Sequence, residues 1–148
     1  MTQQRRKSRY HIPDIAKDFI NNIGYNCNLS GSYKIYQFVD NTNNSVFYIG
    51  CTFASIRKRF LEHVHDCIVH HEIVKEWGGS CKHEKLGKIK DFLDGKINIS
   101  INVLFEFDSK DKAMEMESML IYLFSLNNNK TFSLTNRKNS KTTNYKKL

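Results

Sequence analysis

Arg59, His63 and Glu117 carry functional groups that phosphate chemistry needs. Arg59 and His63 are four residues apart, so on a helix they share one face about one turn apart. A guanidinium binds phosphate oxygens, an imidazole transfers protons, and a carboxylate holds a divalent cation. Cleavage of a phosphodiester bond can use all three groups. The alternative is structural: Glu117 forms an internal salt bridge with Arg59, and His63 caps a helix or packs.

Glu117 stands out because of its place in a helical pattern. The stretch from about Lys110 to Leu126, with Asp108 or Ser109 as its N-cap, predicts a helix with one wide apolar arc. That arc comprises Ala113, Met114, Met116, Leu120, Ile121, Leu123 and Phe124, and the opposite face comprises Glu115, Ser118, Tyr122, Ser125 and a stray Met119. Glu117 falls near the middle of the arc. A carboxylate facing the body of the protein is costly unless it is protonated, paired or bound to a metal.

Two tyrosines belong to a predicted hairpin. Residues 33–39 and 45–50 are rich in aromatic and β-branched residues, and the Asp-Asn-Thr-Asn-Asn stretch between them is typical of a turn. A loop centred on Thr42 would pair Tyr36 with Tyr48 and put both side chains on one face. The same register pairs Val39 with Ser45 and Phe38 with Val46.

The remaining pattern predicts an α+β fold of three strands and flanking helices. Helices are expected over about 13–21, 54–68, with Ser55 as N-cap, and 82–93, which ends at Gly95. A third strand is expected over residues 97–107, where Ile99, Ile101, Val103, Phe105 and Phe107 alternate with the residues between them.

The charge of the chain is concentrated at its ends. The 148 residues carry a formal charge of +8, yet all 15 acidic residues lie between residues 10 and 129. Residues 1–9 hold four basic residues and residues 130–148 hold six, so both ends resemble phosphate-seeking arms. We therefore divide the chain into a basic arm with a short helix (1–30), one domain (31–136) and a basic tail (137–148). Without an apolar stretch of about 18 residues or a secretory leader, an intracellular protein, cytoplasmic or nuclear, is expected, with no membrane partner.

Histidines and cysteines are frequent between residues 63 and 83. This segment contains His63, His65, Cys67, His70, His71, Cys81 and His83. Zinc sites usually show paired ligands at short fixed separations, whereas the spacing here is irregular. We prefer free thiols and loop or surface histidines, with a zinc-binding nucleic-acid-binding protein as an alternative.

Several of these residues form an ordered series of short motifs. The series is Lys34-Ile35-Tyr36, then Tyr48-Ile49-Gly50-Cys51-Thr52, then Arg59-Phe60-Leu61-Glu62-His63, then Glu117 shortly before Leu120-Ile121, and finally Leu134-Thr135-Asn136. This order resembles the GIY-YIG nuclease family over roughly residues 31–136. The resemblance implies a small three-stranded antiparallel sheet flanked by helices, and metal-dependent DNA cleavage without a covalent intermediate. Lys34 departs from the family pattern, because it stands at the first glycine of the name motif.

The resemblance also implies roles for individual residues. Tyr36 would be the general base that deprotonates the attacking water, and Tyr48 would position water or phosphate. Arg59 would stabilise the charge of the transition state, and His63 would hydrogen-bond a tyrosine or assist proton transfer. Glu117 would be the sole protein ligand of Mg²⁺, or of Mn²⁺ as a second candidate, and Asn136 would support the site. These roles predict a GIY-YIG-type endonuclease.

DNA is the expected partner, and four residues beside the motifs are candidate phosphate contacts. They are Arg57, Lys58, Arg137 and Lys138. The length favours a free-standing nuclease of the homing, restriction or viral type over a repair nuclease with an added domain. Since one site cuts one strand per encounter, a homodimer on the substrate is one route to double-strand cleavage. The alternative is a domain of the same fold that binds nucleic acid without cutting it.

Overall fold

The computed structural model describes residues 11–23, 31–79 and 83–126. Within these ranges the element order is α1 (Asp14–Asn21), β1 (Tyr33–Asp40), β2 (Ser45–Thr52), α2 (Ile56–Glu76), α3 (Glu84–Leu93), β3 (Ile99–Phe107) and α4 (Lys110–Leu126). Two compact units can be distinguished: one contains α1, α2 and α3, and the other contains the three strands and α4. The predicted α+β class with a three-stranded antiparallel sheet is confirmed.

In the sheet unit, β1 lies between β2 and β3 and is antiparallel to both. The predicted hairpin register is wrong in detail, because Asp40 pairs with Ser45 and Tyr36 pairs with Gly50. The loop has four residues, with Asn44 at a φ of 55°, and β2 bulges next to the Phe38/Val39 step. Loop and bulge together shift the pairing by an even number of positions. Tyr36 and Tyr48 therefore stay on one face, as predicted.

A second bulge breaks the predicted alternation of β3. Tyr36 pairs with Val103 and Ile35 pairs with Phe105, so one extra residue of β3 lies between these pairs. Phe105 and Phe107 consequently face the opposite side of the sheet from Val103. Phe107 packs against the core cluster, and Phe105 is left 42% exposed.

Helix α4 covers one face of the sheet. Ala113 and Ile121 pack with Ile35, Val46 and Ile49 in one cluster of buried residues. The boundaries of α4 agree with the predicted helix, but its buried face is rotated relative to the predicted arc. Ser118 is buried and Leu123 is exposed, the reverse of the expectation for both.

In the helical unit, α1 and α3 both pack against α2. The rings of Phe19, Phe60 and Phe92 contact one another, with centroid separations of 5.1 to 6.3 Å. The side chain of Ser55 accepts a hydrogen bond from the Lys58 main-chain N–H, which confirms the predicted N-cap of α2. That helix continues to Glu76, eight residues beyond the predicted end, because no glycine or proline interrupts it before Gly78 at a φ of 70°.

Within the described ranges, no helix combines the length and the apolar character needed to cross a membrane.

Candidate active site

The two predicted catalytic tyrosines lie side by side on the face of the sheet opposite α4. Tyr36 is 1% exposed, Tyr48 is half-buried, and their ring centroids are 6.1 Å apart. Phe38 contacts both rings, and its ring centroid is 5.5 Å from the centroid of each. We call the face that carries Lys34, Tyr36, Phe38 and Tyr48 the tyrosine face.

Gly50 allows the Tyr36 phenol to lie directly against the main chain of β2. A Cβ atom at Gly50 would be 2.6 Å from the Tyr36 hydroxyl oxygen and 2.8 Å from Cε2 of Tyr48. Both distances are shorter than any normal van der Waals contact, so a side chain here would displace a ring. The glycine of the second motif is therefore required by the packing of both tyrosines.

Arg59 and His63 lie one turn apart on α2, as predicted. The Arg59 guanidinium forms an ion pair with Glu62 on the same helix, with Nη1 3.2 Å from Oε1. His63 is fully buried. Burial, together with the positive charges of Arg59 and Lys85, lowers the pKa of His63 to about 2. The imidazole is thus neutral at physiological pH, a form that can accept a proton or a hydrogen bond but cannot act as an imidazolium acid.

Glu117 is buried on α4, as predicted, with 2% exposure. It lies one turn from Ala113 and one turn from Ile121, which both belong to the core cluster. The structure therefore brings Tyr36 and Tyr48 together, while Glu117 is carried by the helix on the other face of the sheet.

The candidate phosphate contacts differ in their surroundings. Arg57 donates a hydrogen bond to the Asn21 side chain, which ties α2 to α1, and Lys58 is exposed. Asn136, Arg137 and Lys138 lie outside the described residues.

No zinc-type ligand set occurs in the described part of the histidine-rich segment. The rings of His71 and His83 lie 5.5 and 6.2 Å from that of His70, yet no group of three or more potential ligands there could hold a metal ion. The thiol of Cys67 instead donates to the Leu86 carbonyl oxygen at 3.3 Å. Neither Cys51 nor Cys67 forms a disulfide bond, and Cys27 and Cys81 lie outside the described residues.

Sequence reasoning missed the burial of Lys34. Its side chain is fully buried on the tyrosine face, where a lysine is rarely found. One signal could have revealed it, since Lys34 lies two residues before Tyr36 in a strand pattern and must share its face.

A protein-family model matches the part of the chain that carries these residues. The model of the GIY-YIG catalytic domain matches residues 32–131, more than half of the chain. The chain belongs to the GIY-YIG family. The match spans every motif residue from Lys34 to Glu117, whereas Asn136 lies beyond its end. Comparison with curated proteins and with solved structures yields no match.

Membership identifies a nuclease-type domain, and proteins of this family generally are endonucleases that act on DNA with a divalent metal ion.

Proposed function

We propose that this GIY-YIG protein is a metal-dependent DNA endonuclease that hydrolyses phosphodiester bonds with an activated water molecule. The observation that carries the proposal is the packing of Tyr36 and Tyr48 against Gly50. A Cβ at residue 50 would lie 2.6 Å from the Tyr36 hydroxyl oxygen, so glycine at this position keeps both phenols side by side. The family match and the buried carboxylate of Glu117 support the same conclusion.

Each residue of the proposed site has its own role in the reaction. Tyr36, as phenolate, takes a proton from the attacking water, and Tyr48 orients that water or the phosphate. Arg59 stabilises the additional negative charge of the transition state. His63 stays neutral and acts as a hydrogen-bond partner, because its pKa of about 2 rules out a resting positive charge. We assign Asn136 a supporting role on the motif order alone.

Glu117 is the residue that would hold a divalent ion. A single carboxylate, with no cluster of three ligands in the described part of the chain, does not suit zinc. It suits Mg²⁺, or Mn²⁺, which retains several waters and takes further oxygen atoms from phosphate. The chemistry supplied by such an ion when bound is neutralisation of phosphate charge and stabilisation of the leaving oxygen.

The first experiment is a plasmid-nicking assay with and without Mg²⁺ at fixed protein and salt concentrations. It compares the wild type with Glu117→Gln, which keeps the shape of the side chain but removes its charge. We expect nicking by the wild type only with metal, and a rate lower by roughly 100-fold or more in Glu117→Gln with plasmid binding retained. Glu115→Ala, which removes an exposed carboxylate on the same helix, should cut like the wild type.

Two results would contradict the proposal. Unchanged cutting by Glu117→Gln would remove Glu117 from the metal site. A wild type that binds supercoiled, single-stranded and branched DNA but cuts none of them, with Mg²⁺ or Mn²⁺, would indicate the non-cleaving alternative.

A further inference from the structure

Lys34 carries a buried charge that none of the proposed roles uses. Its side chain is 0% exposed. The ammonium group donates hydrogen bonds to two main-chain carbonyl oxygens, that of Ser32 at 3.1 Å and that of Ala54 at 3.4 Å. These acceptors are neutral, whereas a buried lysine normally requires a carboxylate. The positive charge is thus held in place without being cancelled by a direct ion pair among the described residues.

The strand register puts this charge next to Tyr36. Lys34 pairs with Thr52, Tyr36 pairs with Gly50, and Phe38 pairs with Tyr48, which gives three successive rows on one face. Neighbouring rows on one face of a strand are about 7 Å apart. Because Tyr36 is also buried, little water lies between the two side chains to screen the interaction.

The charged and titratable groups that act on Lys34 come from both neighbouring strands. Burial lowers the pKa of the ammonium group, and Glu106 on β3 and Cys51 on β2 partly oppose that change. Glu106 is exposed and accepts a hydrogen bond from the Ser32 hydroxyl, so solvent weakens its effect.

We propose that Lys34 is a positioning residue of the cleavage reaction, whose buried positive charge favours the phenolate form of Tyr36. The phenolate, having released its proton to solvent, then takes one proton from the attacking water, and Lys34 stays protonated throughout. The inference rests on the proposed role of Tyr36 as the base. It also gives a reason for a lysine at the first position of a motif that has glycine in the family pattern.

The first test measures ionisation and needs neither DNA nor metal. The full chain is titrated from neutral to alkaline pH while tyrosinate absorbance is recorded, and the Tyr36 contribution is identified by its loss in Tyr36→Phe. In Lys34→Met, which keeps most of the apolar stem, we expect the Tyr36 midpoint to move up by on the order of one pH unit. Lys34→Arg, which keeps the positive charge, should have the same Tyr36 midpoint as the wild type. Circular dichroism at each pH confirms that each variant is folded.

An unchanged Tyr36 midpoint in a folded Lys34→Met would overturn the inference. If that variant does not fold, Lys34→Gln serves in its place, because its amide can still donate to a carbonyl but carries no charge. Because this readout is independent of cleavage, it stays informative even if the nuclease proposal fails.

The second test is a double-mutant cycle in single-turnover nicking. We expect Lys34→Met to slow the maximal single-turnover rate by roughly 10-fold at neutral pH, with the half-saturating protein concentration within twofold, and to regain rate as the pH rises. In a Tyr36→Phe background the same change should have no further effect, because Lys34 acts through the phenol. An equal loss in both backgrounds would assign Lys34 a purely structural role and contradict the inference.

Discussion

Gly50 leaves no room for an added atom on the tyrosine face. Gly50→Ala forces the Tyr36 ring out of its place, because the new Cβ would lie 2.6 Å from the hydroxyl oxygen and 2.7 Å from Cζ. We expect a loss of about 1 to 3 kcal/mol in the free energy of unfolding, together with loss of nicking. Urea unfolding of the purified variant provides the measurement.

Gly87→Ala is the matched control for this substitution. Gly87 lies within α3, and a Cβ there meets nothing within 4 Å. Alanine should stabilise that helix by up to about 1 kcal/mol. If both variants change the free energy of unfolding by the same amount, the contact with Tyr36 is not the reason for glycine at residue 50.

His63 predicts a specific dependence of stability on pH. Its pKa is about 2 in the folded protein, against 6.5 for a free side chain, so below pH 6.5 the unfolded chain gains a proton that the folded chain does not. The free energy of unfolding should therefore fall as the pH falls below 6.5, by up to about 1.4 kcal/mol per pH unit. This contribution is fully present at and above neutral pH.

Urea unfolding of His63→Gln between about pH 7 and pH 5 tests this dependence. The variant should lose most of the acid sensitivity that the wild type shows, whereas His65→Gln, two residues along the same helix, should retain it. Equal acid sensitivity in the wild type and His63→Gln would place the titrating group elsewhere.

At the scale of the element, two residues of α4 that the sequence pattern places on the same apolar arc differ in burial. Ile121 is fully buried in the core cluster, and Leu123 is 45% exposed. We expect Ile121→Ala to lower the free energy of unfolding by about 2 to 4 kcal/mol and Leu123→Ala by less than about 1 kcal/mol. Thermal or urea unfolding distinguishes them, and similar losses would show that the buried face of α4 is centred on the apolar arc after all.

At the scale of the whole molecule, the charge of the two ends should control affinity for DNA. Replacing the four basic residues among residues 1–9 with alanine removes up to four phosphate contacts. The slope of log affinity against log salt should then become shallower by up to roughly 4, for DNA of any sequence. The residues replaced are Arg5, Arg6, Lys7 and Arg9.

Fluorescence anisotropy with labelled duplex DNA and EDTA measures this slope without cleavage. Lys110 and Lys112, two exposed lysines at the start of α4, provide a control by alanine replacement. If replacing Lys110 and Lys112 makes the slope of log affinity against log salt shallower by as much per charge as replacing the four N-terminal basic residues, the net charge of the protein determines its affinity for DNA, not the position of the N-terminal charges.

Local chemistry in the sequence determined most of the fold and the identity of the candidate residues. Ser55 as a cap, the boundaries of α4 and the burial of Glu117 follow from hydrogen-bonding side chains and from apolar residues at helical spacing. Such signals act over a few residues, so they can be recognised without a partner element.

The tertiary structure alone decided how these elements meet. The two bulges, the rotation of α4 that buries Ser118, and the close approach of Tyr36 to Gly50 depend on contacts between strands and helices distant in sequence. A one-residue bulge reverses every side chain beyond it, and no local pattern specifies where it falls. The burial of Lys34 has the same origin, because the Ala54 carbonyl oxygen, one of its two acceptors, is distant in sequence and reaches the ammonium group only in the folded protein.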